Sequence, residues 1–432
     1  MGTLSFDVSV AVIFLVMVSV LVAAHEWGHY LFARLFRMGI EEFSIGIGKR
    51  LVVWRRRNYL VPVDDSYVHD PKALSAGLAF EGGSLARTDS QVIESSDGRF
   101  LQETTEFTVR MLPVGGFVRI KGMVPEDDGS EIHIPGGFYN KPPWQRLIVL
   151  IGGPLFSVIA GLVVLTGVYA STGIEKPDLR PIIGLVVEGT KTVHQPAWDA
   201  GLRPGDEIVS VDKQPIQTFY QFVRLVNTHA NVPMSVVYRR ADKLLTTTLT
   251  PALGESGVYD EALDPPTESR VQGRIGVENS ARHVSQSLPE AISDAVRMPE
   301  LAVVGLFDIV KKPSRFKDDA GSAISMVRIT ADVMKEGAAK TIEWAGALSI
   351  MLGIFNLLPF PPLDGGQMVM AFAEMLRGGR RLSIRVQQAL VNAGVVAVLL
   401  LFGFAVFFDV QRLTDNSGQA VTTSPPTKQK TR

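Results

Sequence analysis

The chain has 432 residues, enough for two or three domains, and a formal net charge of −1, so no global field points to nucleic acid. It contains no cysteine, which excludes a disulfide framework, a thiolate nucleophile and a thiolate metal site; any metal must be held by His, Asp or Glu. The average composition conceals four long apolar stretches separated by segments that read like ordinary soluble protein.

The first apolar stretch, Val8–Ala24, is near the length that crosses ~30 Å of hydrocarbon. It lacks a basic flank, carries Asp7 instead, and reads as a retained span rather than a signal peptide. It runs directly into His25-Glu26-Trp27-Gly28-His29, an H-E-x-x-H string. Histidines four residues apart on a helix lie about 40° apart around its axis, so one face offers two imidazoles. That is how a helix grips zinc, with the glutamate placed as general base toward a water the metal activates. The pair could also be ordinary helix-surface histidines, but ionisable groups entering a membrane segment are costly and tend to be functional.

Arg34, Arg37, Lys49, Arg50, Arg55, Arg56 and Arg57 follow the first span. Tyr59–Glu106 is polar and acidic, with Asp64, Asp65, Asp70, Asp89, Glu94 and Asp97, and could be a lid, a partner site or a disordered insertion. Phe107–Met111 and Phe117–Ile120 read as two short strands around a Pro113–Gly116 turn. Leu147–Ala170 is the second apolar stretch, preceded by Lys141 and Arg146.

Beyond it, Ala200-Gly201-Leu202-Arg203-Pro204-Gly205-Asp206-Glu207-Ile208 resembles the G-L-x-x-G-D-x-I signature of PDZ domains. Pro181–Glu188 and Met234–Tyr238 read as strands, Phe219–Asn227 as a helix, Gly254–Glu268 as a loop and Arg274–Val277 as a closing strand. Pro289–Lys312 has near-helical apolar spacing and reads either as an amphipathic helix on the outer membrane surface or as one packed on the PDZ domain. Ile342–Leu358 and Ala389–Phe408 are the third and fourth apolar stretches, and the polar C-terminal tail reads as disordered.

The Arg/Lys placement makes the segment after the first span and the segment between the third and fourth cytoplasmic. The N-terminus, Ser171–Thr341 and the C-terminus then lie outside. Asp364, in Asn356-Leu-Leu-Pro-Phe-Pro-Pro-Leu-Asp-Gly-Gly at the cytoplasmic end of the third span, is the candidate third ligand. A Pro/Asp/Gly turn leaving the membrane would have the same composition.

H-E-x-x-H in a first span with N-x-x-P-x-x-x-L-D-G in a later one resembles the site-2 protease family of intramembrane zinc metalloproteases, the nearest branch being the bacterial regulator of sigma-E protease type. Phe43–Gly48, Leu112–Val118 and Phe138–Lys141 stand in the order that family shows. The resemblance implies a multi-span α-helical membrane protein with four transmembrane helices, a membrane-associated β-hairpin and one inserted α+β PDZ domain. Its segments would be 1–58 with the first span and motif, 59–106 the acidic insertion, 107–122 the hairpin and 145–170 the second span. The PDZ domain would take 181–280, an amphipathic helix 289–312, the third span with the L-D-G motif 342–366, the fourth span 389–408 and the tail 415–432.

The resemblance further implies one catalytic zinc on His25, His29 and Asp364, Glu26 as general base, and Asn356 with the hairpin residues Gly115, Gly116 and Phe117 against substrate. It implies an endopeptidase in the bacterial cytoplasmic membrane. Substrates would be single-span membrane proteins, such as anti-sigma factors or signal-peptide remnants, cut in the bilayer after an upstream site-1-type protease. No nucleic acid is expected, and the oligomeric state stays open. Ser157 stands where the family commonly has asparagine in G-P-x-x-N, so an interhelical contact there should differ. A non-catalytic membrane scaffold using its PDZ domain is the competing reading.

Overall fold

Long apolar runs leave a chain few options except helices, because only a helix satisfies its own backbone where water is absent. The computed structural model describes residues 8–63, 78–81, 84–87, 91–95, 98–124, 130–188, 195–259, 269–311 and 323–415. Among them, four helices are long and apolar enough to cross a membrane: within α1 (Val8–Leu35), α2 (Pro143–Thr172), α7 (Ala338–Asn356) and α9 (Ile384–Asp415). At about 1.5 Å per residue the shortest, with 19 residues, reaches roughly 28 Å and the others roughly 40 Å or more. Val12, Val16 and Val20 on α1 and Leu399, Phe402 and Phe407 on α9 point outward, which suits a hydrocarbon surrounding rather than water.

The chain divides into two compact units. The first holds residues up to Val168 and again from Leu288 to Asp415. Its helices meet through missing side chains: a Cβ on Gly28 would stand 2.1 Å from the Gly152 carbonyl oxygen, and one on Gly161 2.6 Å from that of Gly346.

Against α1 lies a sheet of β1 (Ile40–Val63), β5 (Gly98–Ile120) and β4 (Gln91–Ser95), in the order β1-β5-β4. β2 (Leu78–Glu81) and β3 (Ser84–Arg87) pair separately. The expected hairpin of Phe107–Met111 with Phe117–Ile120 is corrected here. Both arms belong to one strand, β5, and Glu42–Ile45 of β1 takes partners on both sides, Gly116–Arg119 and Glu106–Val109. The arms are thus separated by β1, whose backbone N–H and C=O groups pair along both edges. A buried ion cluster ties these strands together: Glu42 accepts from Thr108 (2.6 Å) and Arg110 (2.8 Å) and pairs with Arg50 (3.0 Å). Burial pushes the Glu42 carboxyl up, but those bonds and charges outweigh it and hold the group below its ordinary value.

The acidic stretch 59–106 is strand where described, Leu60–Val63 pairing with Arg99–Gln102, so the disordered alternative fails there. Asp64, Asp65, Asp70, Asp89 and Asp97 lie outside the described residues, as does most of the tail. The third span does not continue to residue 366. α7 stops at Asn356, Pro359, Pro361 and Pro362 interrupt the backbone, and a new helix, α8 (Asp364–Leu376), begins at the candidate ligand. α5 (Leu288–Lys311) packs on α7, with Ala291 and Ala295 buried, and α6 (Ala323–Glu336), unanticipated from sequence, packs beside it.

The second unit, Tyr169–Ser287, has a core of apolar side chains including Leu202, Ile208, Phe222, Met234, Val236 and Leu249. It contains β6 (Ile174–Pro177), β7 (Ile183–Val186), α3 (Pro196–Asp199), β8 (Glu207–Val211), β9 (Gln214–Pro215), α4 (Phe219–Thr228), β10 (Met234–Arg240) and β11 (Lys243–Leu249). The strand order is β11-β10-β8-β9. Gly201 and Gly205 take positive φ (81° and 92°) at the expected turns. The expected loop at Gly254–Glu268 instead starts as strand β12 (Ala252–Gly257), paired with β13 (Ser269–Arg274). The expected closing strand Arg274–Val277 is divided: Gly276, at φ 73°, separates β13 from β14 (Val277–Asn279), which pairs with β7. β15 (Ala281–Val284) pairs with β6.

Candidate active site

His25 and His29 lie one turn apart on α1 and both are buried. α2 holds the nitrogen of each ring that faces away from the site. His29 Nδ1 donates to the Val149 carbonyl (2.9 Å); a carbonyl only accepts, so the proton sits on Nδ1 and the Nε2 lone pair is turned inward. His25 Nδ1 lies 2.9 Å from the buried Ser157 hydroxyl.

Asp364 arrives from the first turn of α8, where the helix dipole favours a carboxylate. Its Oδ2 stands 3.0 Å from His25 Nε2 and 3.3 Å from His29 Nε2, and the two Nε2 atoms are 3.3 Å apart. Three donor atoms thus form a near-equilateral triangle. Three corners of a tetrahedron drawn at zinc–ligand distances of about 2.0–2.2 Å have edges of roughly 3.3–3.6 Å, so the spacing suits that ion. The donor set, two imidazoles and a carboxylate with a fourth position left over, is that of a catalytic zinc site. Among the described residues this is the cluster of His, Asp or Glu able to hold a metal.

The floor of the triangle is Gly153. A Cβ there would come within 2.3 Å of His29 Nε2 and 2.7 Å of His25 Nε2, so only glycine leaves the donors their convergence. The Asp364 side is held by packing: a Cβ on Gly394 of α9 would meet the Pro361 carbonyl oxygen at once, so α9 presses directly on the turn that aims the carboxylate. Farther along, Glu374 near the end of α8 makes a buried ion pair of 2.6 Å with Arg146 near the start of α2, joining the helix that carries Asp364 to the one that orients the histidines.

Glu26 is half-buried and follows His25 directly on α1. Its Oε2 accepts a 2.9 Å hydrogen bond from the Val118 amide, so β5 reaches the motif. Of the hairpin residues, Gly115 sits at φ 75° in the turn, Gly116 closes on the Ser44 carbonyl, and Phe117 lies under the Arg110 and Arg119 guanidiniums at 5.1 and 5.5 Å. The Asn356 amide donates to the Leu352 carbonyl (2.9 Å), one turn back on its own helix.

Sequence reasoning named the three donors and Glu26, and Ser157 as a place where an interhelical contact differs, but not the support they receive: the Val149 carbonyl, Gly153, the Ser157 hydroxyl against His25 and the Val118 amide. A signal was available for three, since positions 149, 153 and 157 repeat at i, i+4, i+8 and share one helix face. None existed for Val118, which contributes only its backbone.

Comparison with known proteins adds a family pattern. That of peptidase family M50 matches residues 13–61 and 98–401. The unmatched residues between fall within the acidic stretch. The chain is 26% identical over 413 residues to a protein of Rickettsia conorii, covering 93% of this chain and 98% of that one. It is 25% identical to one of Clostridium perfringens (83% and 86% covered) and 26% identical to one of Helicobacter pylori (93% and 99%). Each of these relatives carries the name "Putative zinc metalloprotease".

Proposed function

The chain belongs to peptidase family M50, and from that premise we propose that it is a zinc-dependent endopeptidase cutting the transmembrane segments of single-span membrane proteins inside the bilayer. The observation that carries this reading is the triangle of His25, His29 and Asp364 with Glu26 beside it, built on a helix long and apolar enough to span a membrane.

His25, His29 and Asp364 would hold the zinc. When bound, that ion supplies Lewis-acid polarisation of the scissile carbonyl and makes water nucleophilic at neutral pH. Glu26 accepts the proton of the attacking water and returns it to the leaving amine nitrogen. A transmembrane helix must be unwound before its peptide bond can be reached, and an unwound segment can be held by strand addition. Gly115, Gly116 and Phe117 present that edge beside Glu26, a placement supported by the Val118–Glu26 bond. Asn356 exchanges its bond to Leu352 for one to the substrate backbone.

The second unit acts as a PDZ domain that keeps substrates with bulky outer portions away until another protease has trimmed them. Its element order and the buried Asp206 support the assignment. That carboxylate accepts from the Arg203 amide (2.8 Å) and pairs with Arg240 (2.7 Å), locking the Gly201–Gly205 turn to the end of β10. The protein sits in the bacterial cytoplasmic membrane, with its termini and this unit outside and the site toward the cytoplasmic face.

The test is cleavage of a tagged single-span substrate by the full chain in liposomes, comparing wild type with Glu26→Gln and with chelator added. Loss of cleavage in both is the expected result. Cleavage by Glu26→Gln would overturn the base assignment, and a wild type that takes up no zinc would favour the scaffold.

A further inference from the structure

The two histidines are supported differently. His29 leans on a backbone carbonyl, which no substitution removes, whereas His25 leans on a side chain, the hydroxyl of Ser157. Ser157 is fully buried on α2, and a buried hydroxyl needs a partner; His25 Nδ1 is at 2.9 Å. Serine has a short reach, and the close approach of Gly28 to Gly152 brings α1 near enough for it.

We propose that Ser157 is a positioning residue for the metal site: its hydroxyl oxygen accepts a hydrogen bond from His25 Nδ1–H and so holds the ring with Nε2 facing Asp364. This rests on the zinc-site reading above. Without the hydroxyl, the ring keeps its place on α1 but can rotate and can carry its proton on either nitrogen, so the donor is presented only part of the time. Partners of this kind orient metal-ligating histidines generally, and losing one costs about 10–100-fold in metal affinity. The position is separable from helix packing, because α7 grips α2 here through the backbone: Ser349 Oγ donates to the Ser157 carbonyl (2.8 Å), a bond that Ser157→Ala retains.

The experiment measures zinc affinity by chelator competition, together with the melting temperature of the zinc-free protein, in full-length Glu26→Gln protein so that self-cleavage plays no part. Ser157→Ala should raise the zinc Kd by about 10–100-fold with the zinc-free melting temperature unchanged. Ser157→Thr and Ser157→Val, nearly identical in shape, form the second pair: threonine should bind more tightly than valine by a similar factor. Equal affinities within that pair, or a Ser157→Ala Kd equal to the parent's, would overturn the proposal. If the parent takes up no zinc, or His25→Ala binds as well as the parent, the zinc-site reading itself falls and this inference with it.

Discussion

The unit from Tyr169 to Ser287 closes on Phe222, Leu249 and Met234, large apolar side chains with almost no exposure, whereas the surroundings of Gly153 work by leaving side chains out. In the first case burial of apolar surface supplies the stability, as in any soluble domain. In the second, helices with apolar outer faces gain little from burying more of the same. They meet instead at Gly28, Gly152 and Gly161, and at polar contacts such as Ser349 with Ser157 and Arg146 with Glu374. The empty space at Gly153 is where three donors converge. One region is a core whose worst injury is a cavity; the other is a site whose worst injury is an added methyl group.

The sharpest test of the contrast separates chemistry from structure. Glu26→Gln should lower the cleavage rate by on the order of 10²–10⁴-fold while zinc per chain, read by atomic emission, stays at the wild-type level. Next in size, Phe222→Ala should destabilise the second unit by about 3–5 kcal/mol, seen as faster hydrogen exchange in β8 and β10, with zinc content untouched. Gly153→Ala should do the reverse. Its Cβ displaces both Nε2 atoms, zinc uptake is lost and cleavage falls by at least about 10²-fold, while exchange in β8 and β10 does not change. If Phe222→Ala removed zinc, or Gly153→Ala loosened β10, the distinction between the two regions would collapse.

The smallest effect is a pH dependence confined to the second unit. Hydrogen bonds from Arg180, at 3.0 and 3.1 Å, hold the Asp178 carboxyl below its ordinary value of about 3.9 against the opposing push of burial. A carboxyl lowered on folding stabilises the fold above its unfolded value, and the contribution disappears as pH falls through the folded one. The melting temperature of this unit should therefore decline below about pH 4, and Asp178→Asn should flatten that decline slightly.

Much of the architecture was legible because its signals are local. The long apolar run Val8–Ala24 before His25, the i, i+4 histidines and the Pro/Gly-bounded Asp364 each declare themselves within a few turns of chain. The same holds for the Gly201 and Gly205 turns, which need positive φ. What was misread depends on pairing. Phe107–Met111 and Phe117–Ile120 alternate as a hairpin should, but nothing in either segment says that Glu42–Ile45 will lie between them. The Pro/Gly/Glu-rich composition of Gly254–Glu268 reads as a loop, and only pairing with β13 makes its start part of a strand.

The sequence by itself determined the long apolar helices, the presence of two imidazoles, a carboxylate and the glutamate between the imidazoles, and the order in which they occur, because periodicity and residue chemistry are properties of short segments. Only the tertiary structure decided that these donors meet at 3.0–3.3 Å, that Val149 and Ser157 orient the rings, that Gly153 is the floor and that the Val118 amide reaches Glu26. The physical reason is that those functions are carried by backbone atoms, by the absence of a side chain and by one small buried hydroxyl, which acquire meaning only when another helix or strand is placed against them.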